Sequence, residues 1–245
     1  MLNFFILILI YTCIYAFMSL GQNLITGYTG MLSLCAAGFF AVGSYTTAIL
    51  TTKFAWSFWT TLPVAAILAA LMGVLIGLPT LRLKGDYLAI ATLGFAEIVR
   101  NIINNWDALT NGPMGIQRIP MITIFGLKIS PYQKYGFLLM EIILLAVCWF
   151  LFERLASSRM GRALEAIRED EIAANSMGIN VTKYKVVSFA LGAAVTGIAG
   201  CLQAEFTLSV SPGSYVFMVS IMILCTVVLG GMGNFVAVIL GAFII

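Results

Sequence analysis

Residues 159–185 read RMGRALEAIREDEIAANSMGINVTKYK, and the reading of the whole chain turns on them. Arg159, Arg162, Glu165, Arg168, Glu169, Asp170, Glu171, Lys183 and Lys185 are charged, with Arg154 just upstream, while long apolar runs flank the stretch on both sides. An Asp, Lys or Arg at the bilayer centre costs about 2.5–3.5 kcal/mol on insertion scales, so this stretch lies in water and its flanks do not. The chain as a whole has 245 residues, 61% hydrophobic and 9% charged, and its mean hydropathy is +1.04. Soluble domains carry about 25% charged residues, so the composition defines a polytopic membrane protein. The expected fold is an all-α transmembrane bundle forming a single domain over residues 1–245.

The same composition narrows the function classes. The net charge of +3 sits in loops rather than along one face, which gives no footprint for nucleic acid. Cys13, Cys35, Cys148, Cys201 and Cys225 are odd in number and lie in apolar runs, so they read as small core residues rather than disulfides or metal ligands. The chain has no histidine, which removes histidine-based catalysis and most zinc sites. It has no GxxxxGK[ST] loop and no carboxylate pair or nucleophile–base set in a plausible pocket. The expectation is a protein with no catalytic residues, cofactor or metal, drawing any ATP energy from another subunit. Without a charged n-region, residues 2–20 read as a retained helix and not a cleaved signal.

A membrane span needs about 20 predominantly apolar residues. Candidates are 2–20, 32–51, 60–79, 87–104, 135–153, 185–206 and 215–230, with an eighth beginning at Phe235. The eleven residues from Phe235 to Ile245 reach only about 16 Å as a helix, so about eight spans are expected with the last truncated: either the chain is a fragment of a longer protein, the favoured reading, or its end is a half-helix. Arg82 and Lys84, with Arg154, Arg159, Arg162, Arg168, Lys183 and Lys185, mark the loops expected inside; Lys53, Arg118, Lys128 and Lys134 mark the sparser outer ones. The amino terminus is then outside. The outer loop 105–134 holds TNGPMG and three of the six prolines, which argues turns and a compact cap that is either a plain connector or a docking lid.

Glycine marks two kinds of place. Gly38 and Gly43 in one span, and Gly192, Gly197 and Gly200 in another, allow close helix approach. In LGGMGN, Leu229 to Asn234, the glycines Gly230, Gly231 and Gly233 should break a helix, as in transporters. Gly27-Tyr28-Thr29-Gly30 is a second break, ahead of the second span, and the two hint at an internal repeat.

Ionisable residues inside spans require an account. Glu97 and Arg100 are three apart on one helical face and either pair with each other or, with Gly94, line a pathway. Glu141 and Glu205 are read as reaching the water interface, and with Glu97 they define a possible acidic outer vestibule for an amine. In the polar stretch, Met160, Leu164 and Ile167 recur at helical spacing, and Asp170 is placed to cap a second helix with Ile172, Ala173, Ala174 and Met177 as its apolar positions. Gly178 supplies a left-handed stop and Asn180 a further cap. A loop of this length with its own helices and exposed Met, Leu and Ile calls for a partner surface.

Glu171-x-Ala173-Ala174-x3-Gly178 resembles the coupling-loop signature of bacterial ABC-importer permeases. The wider resemblance is to the branched-chain amino-acid permeases of the LivM type. It rests on GYTGMLSL (27–34), LRLKGDYLAIATLGFAEIVR (81–100), TNGPMGI, GRALEAIREDEIAANSMGIN, SPGSY and VVLGGMGN, and covers about 25–245. Asp86 with Glu97 is closer to the amino-acid branch than to the related urea permeases. The family's carboxyl-terminal helices and extended leader are not matched. The resemblance implies a multi-pass subunit of the bacterial cytoplasmic (inner) membrane, working with a second homologous permease, ATP-binding subunits and an external solute-binding protein. It implies ATPase-coupling roles for Arg162, Ala163, Arg168, Asp170, Glu171, Ala173, Ala174 and Gly178. The expected cargo is a branched-chain or other hydrophobic amino acid; a urea or short-amide permease, and a secondary transporter independent of ATP, are the alternatives.

Overall fold

The computed structural model describes residues 2–80, 83, 85–124, 127–129 and 134–244. Helix α1 (Leu2–Gln22) runs on into a π-helical turn, Asn23–Gly27, and an irregular segment, 28–35, leads to α2 (Ala36–Lys53). Next come α3 (Phe58–Thr80), α4 (Asp86–Asn105) and the four-residue α5 (Asp107–Thr110). Short strands β1 (Ile116–Gln117), β2 (Ile122–Ile124) and β3 (Leu127–Ile129) precede α6 (Lys134–Ala156), α7 (Arg159–Glu169), α8 (Glu171–Ser176) and α9 (Val181–Thr207). The described chain closes with β4 (Ser209–Val210), α10 (Phe217–Gly230) and α11 (Phe235–Ala242).

The helical membrane bundle is as expected, but the span count is not. Among the described residues five segments are long and apolar enough to cross a membrane: Phe4–Gly27, Phe58–Thr80, Tyr135–Ala156, Val181–Thr207 and Pro212–Gly230. Helices α2 and α4 stand where the second and fourth spans were expected, and α11 is an eight-residue helix. The reason is in their side chains. Helix α2 carries Ser44, Thr46, Thr47, Thr51 and Thr52, and α4 carries Asp86, Glu97 and Arg100. A helix walled by protein does not have to be apolar all round. In α2 the buried Ser44 hydroxyl lies 2.9 Å from both the Phe40 and Gly200 carbonyls, and Thr47 donates to the Gly43 carbonyl at 3.1 Å.

Helix α9 is the axis of the bundle, packed on α1, α2 and α3. Small residues make that possible. A Cβ on Gly43 of α2 would fall on the Gly197 backbone, one on Gly21 of α1 would meet the Gly192 carbonyl, and one on Gly73 of α3 would lie 2.7 Å from the Phe189 carbonyl oxygen. Helices in lipid associate through such close backbone approach. The outward faces are apolar: Ile67, Leu71, Leu75 and Leu78 on α3, and Leu139, Ile142, Ile143 and Phe150 on α6, are exposed. Cys225 is exposed on α10, which corrects its reading as a core residue, whereas Cys13, Cys35 and Cys201 are buried.

The segment between α1 and α2 has no helical ladder, so its backbone groups need other partners. Gln22 Nε2 donates to the Ser33 carbonyl at 2.7 Å, and the Leu34 N–H donates to Thr92 Oγ1 of α4 at 2.9 Å. The Ala37 N–H, in the first turn of α2, donates to Ser220 Oγ of α10 at 3.0 Å. Polar residues that look out of place in apolar runs are therefore the fittings of an irregular buried segment.

The other end of the bundle carries a cap that the all-α expectation did not include. Strand β1 pairs antiparallel with β4, and β2 with β3. Within TNGPMG, Asn111 and Gly112 take φ of 62° and 54°, and Asn111 Nδ2 donates to the Gly115 carbonyl at 2.9 Å. Lys53 closes the cap from α2 by donating to the carbonyls of Ala108 and Leu109 at 2.8 and 2.9 Å, where a cation meets the carbonyl end of α5. The rest of the expected outer loop, around 125–126 and 130–133, lies outside the described residues.

Candidate functional site

The polar stretch folds as two short helices docked across one end of the bundle. Ser158 caps α7 by accepting the Met160 N–H at 3.1 Å, a cap the sequence reading missed although serine ahead of an amphipathic run is a start signal. Asp170 is the hinge between the helices: its Oδ1 accepts the N–H groups of Ile172 and Ala173 at 2.8 and 3.0 Å. Helix α8 ends in a Schellman closure, with the Ile179 N–H on the Ala174 carbonyl at 3.1 Å and the Gly178 N–H on the Asn175 carbonyl at 3.0 Å. Gly178 takes φ +84°, the left-handed position expected of it. Asn180 Oδ1 then accepts the Lys183 N–H at 3.0 Å and starts α9.

Helical spacing sorts the faces of α7 and α8. Gly161, Ala163, Leu164 and Ile167 turn inward, and Leu164 is fully buried in the main core. The Leu164 and Ile167 pair therefore holds the loop to its own bundle rather than offering itself to a partner, which corrects the expected exposed stripe. Ala163 and Ala174 are buried too. The outward apolar groups belong to α8: Ile172 is 73% exposed and Met177 83%. Ala173 is exposed, and Arg162 lies outward with Nη1 donating to the Ser157 carbonyl at 3.0 Å. Glu171 pairs with the buried Lys185 of α9 at 2.8 Å, tying the second short helix to the bundle's axis.

Both glycine breaks meet beneath α7. Helix α10 ends at Gly230; Gly231 and Gly233 follow with φ of +106° and +89°, and α11 folds back so closely that a Cβ on Gly230 would lie 2.7 Å from the Ala237 carbonyl. The Gly233 N–H donates to Asn23 Oδ1 in the π-turn at 3.0 Å. Arg168 reaches down from α7 and donates to the Gly27 carbonyl at 2.6 Å. Tyr28 stacks on Phe235, the first residue of α11, at 4.8 Å. Burial first, then the nearby Glu153 and Glu165 carboxylates, push the Tyr28 phenol up to about 12, so it stays neutral. A cleft of about 220 Å³ lies beside this junction, lined by Gly30, Leu83, Ile167, Arg168 and Lys185 among others. Tyr28 and Phe235 appeared in the sequence reading only as part of a break and the start of a span, and Asn23 not at all. Asn23 could have been singled out, as a polar residue at the end of an apolar run.

Glu97 and Arg100 do pair, at 2.9 Å, with both side chains about one-third exposed. Gly94, one turn earlier on α4, has open space where a Cβ would be. Glu141 and Glu205 do not reach water as expected: they are 0% and 2% exposed, and their carboxylate oxygens have no hydrogen-bond partner among the described residues. Both face protein because α6 and α9 present those positions to neighbouring helices, so an open vestibule of three carboxylates does not form. Glu205 borders a cleft of about 240 Å³ with Thr51, Trp56 and Pro120.

These elements define a multi-pass helical membrane protein with a capped two-helix loop seated on paired helix breaks. Residues 4–245 match the family described as the branched-chain amino acid transport system permease component, and the chain belongs to that family. It is 43% identical to the high-affinity branched-chain amino acid transport system permease protein LivM of Escherichia coli (strain K12), over 96% of this chain and 60% of the relative. It is 30% identical to the probable branched-chain amino acid transport permease protein LivM of Methanocaldococcus jannaschii, over 72% of this chain and 52% of the relative. The LivH permease protein of E. coli K12 is 25% identical over 94% of this chain and 79% of its own length. The chain thus spans about 60% of the length of the first LivM relative. No solved structure matches it significantly.

Proposed function

We propose that this chain is the membrane-spanning permease subunit of an ATP-driven importer, forming one transmembrane domain in the bacterial cytoplasmic membrane. Its cargo is a branched-chain or similar hydrophobic amino acid. It works with a second homologous permease, ATP-binding subunits that hydrolyse the nucleotide, and an external solute-binding protein. The family membership supports the transport role, and one structural observation carries the coupling. Helix α8 is capped at both ends, tethered to α9 through Glu171 and Lys185, and presents Ile172 and Met177 outward at the loop end of the bundle. Exposed apolar side chains on a rigid polar loop suit a protein groove rather than lipid. Closure of the ATP-binding subunits then moves the loop as a body and biases the bundle between two openings.

The test is uptake of labelled leucine into vesicles holding the complete gene product and its partner subunits, with internal ATP compared against an imposed proton gradient. ATP-dependent uptake blocked by leucine analogues and not by excess urea is expected. Uptake that follows the proton gradient without ATP would overturn the proposal, and competition by urea would reassign the cargo. Replacing Ile172 and Met177 together with Glu should abolish copurification of the ATP-binding subunits while the permease still reaches the membrane, read by pull-down and immunoblot.

A further inference from the structure

Three backbone positions from two separate segments converge on the Arg168 side chain. Its Nη1 donates at 2.6 Å to the carbonyl of Gly27, the last residue of the π-turn that ends the first span. A Cβ on Gly30, just past that turn, would lie 3.2 Å from Arg168 Cγ. A Cβ on Gly233, between α10 and α11, would lie 2.9 Å from Nη1. The two breaks are themselves joined by the Gly233 N–H on Asn23 Oδ1 and by the Tyr28–Phe235 stack. Arg168 is exposed overall, but its Cγ and Nη1 lie against these two breaks.

These contacts are mechanically specific. A π-turn and positive-φ glycines are the places where a helix bends at low cost, and π-turns concentrate at functional sites. A guanidinium is planar and forked, so it fixes direction as well as distance to the carbonyl it holds. Both breaks lie at spans that flank the bundle's interior, and the side chain linking them comes from the loop that the ATP-binding subunits are proposed to push.

We propose that Arg168 is a transmission pin: it converts displacement of the 159–178 loop into joint bending at the Gly27 and Gly233 breaks. It is a positioning residue that acts within this chain and not a docking contact for the ATP-binding subunits. The proposal rests on the coupling-loop reading of the proposed function.

The experiment uses the complete importer in proteoliposomes and measures three things: copurification of the ATP-binding subunits, ATP hydrolysis stimulated by leucine-loaded binding protein, and leucine taken up per ATP hydrolysed. Arg168→Met should leave the complex assembled and hydrolysing ATP while uptake per ATP falls about tenfold, within the usual range of coupling between sites. Arg168→Lys should recover part of that loss, because it keeps a donor for the Gly27 carbonyl. Gly233→Ala should uncouple as well, and the double variant should lose little more than the worse single, since both act on one contact. Unchanged uptake per ATP in Arg168→Met, or additive losses in the double variant, would overturn the pin. Loss of copurification in Arg168→Met would make Arg168 a docking residue and also overturn it, with the coupling reading intact. Should Arg168→Met fail to reach the membrane, Arg168→Ala decides in its place, and a wild-type uptake ratio there sinks the proposal. Failure of the underlying reading shows separately, as wild-type uptake that needs no ATP.

Discussion

At the scale of single residues, the missing side chains of glycine do two different jobs, and substitution separates them. Gly43 sits where a Cβ would strike the Gly197 backbone, so α2 and α9 could not keep their spacing with alanine there. Gly43→Ala should lower stability by about 1–3 kcal/mol, the usual cost of overpacking, read as a drop in Tm of the detergent-solubilised protein. Gly94 has nothing within contact distance of its would-be Cβ. Gly94→Ala should therefore leave Tm unchanged or slightly raised, since alanine is favoured over glycine in a helix by about 1 kcal/mol. The sequence reads Gly43 as a packing glycine and Gly94 as a pathway neighbour of Glu97, without showing what faces either missing side chain. Only the facing backbone tells them apart.

Among the elements, the α7–α8 loop is the part most fully legible in the sequence. The caps that Asp170 and Asn180 provide join residues at most three positions apart, and Gly178 acts through its own φ; such local rules operate without knowledge of the rest of the fold. Helix α8 has only six residues, too few to hold without its caps. Asp170→Ala should destabilise it by about 1 kcal/mol, seen as roughly fivefold faster hydrogen exchange at the amides of Ile172 and Ala173. What the loop's pattern did not disclose is which way its apolar side chains turn. Leu164 and Ile167 have the same spacing whether they face a partner or their own bundle.

For the whole molecule, the sorting of lipid-facing from protein-facing surface is testable through the native cysteines. Cys225 is exposed on α10, while Cys13, Cys35 and Cys201 are buried between helices. A membrane-permeant maleimide applied to folded protein in bilayers should modify Cys225 well before those three, and denaturation in SDS should release the rest, as read by mass spectrometry. Equal labelling of all four in the folded state would overturn this arrangement of the bundle. The span count has a different cause: the five apolar spans include the enclosed α9, whereas α2 carries hydroxyls that pair with carbonyls inside the protein.

By itself the sequence determined that the chain is a helical membrane protein, where its water-exposed loop lies, how the two helices of that loop begin and end, and the family to which it belongs. These follow from composition, from the cost of charge in lipid, and from rules acting over a few residues. The tertiary structure alone decided that Glu141 and Glu205 face protein, that GYTG and LGGMGN meet although about two hundred positions separate them, and that Arg168 lies between them. Those are long-range contacts, fixed by how α1, α7, α10 and α11 pack together, and no local pattern of side chains encodes the partner across such a distance.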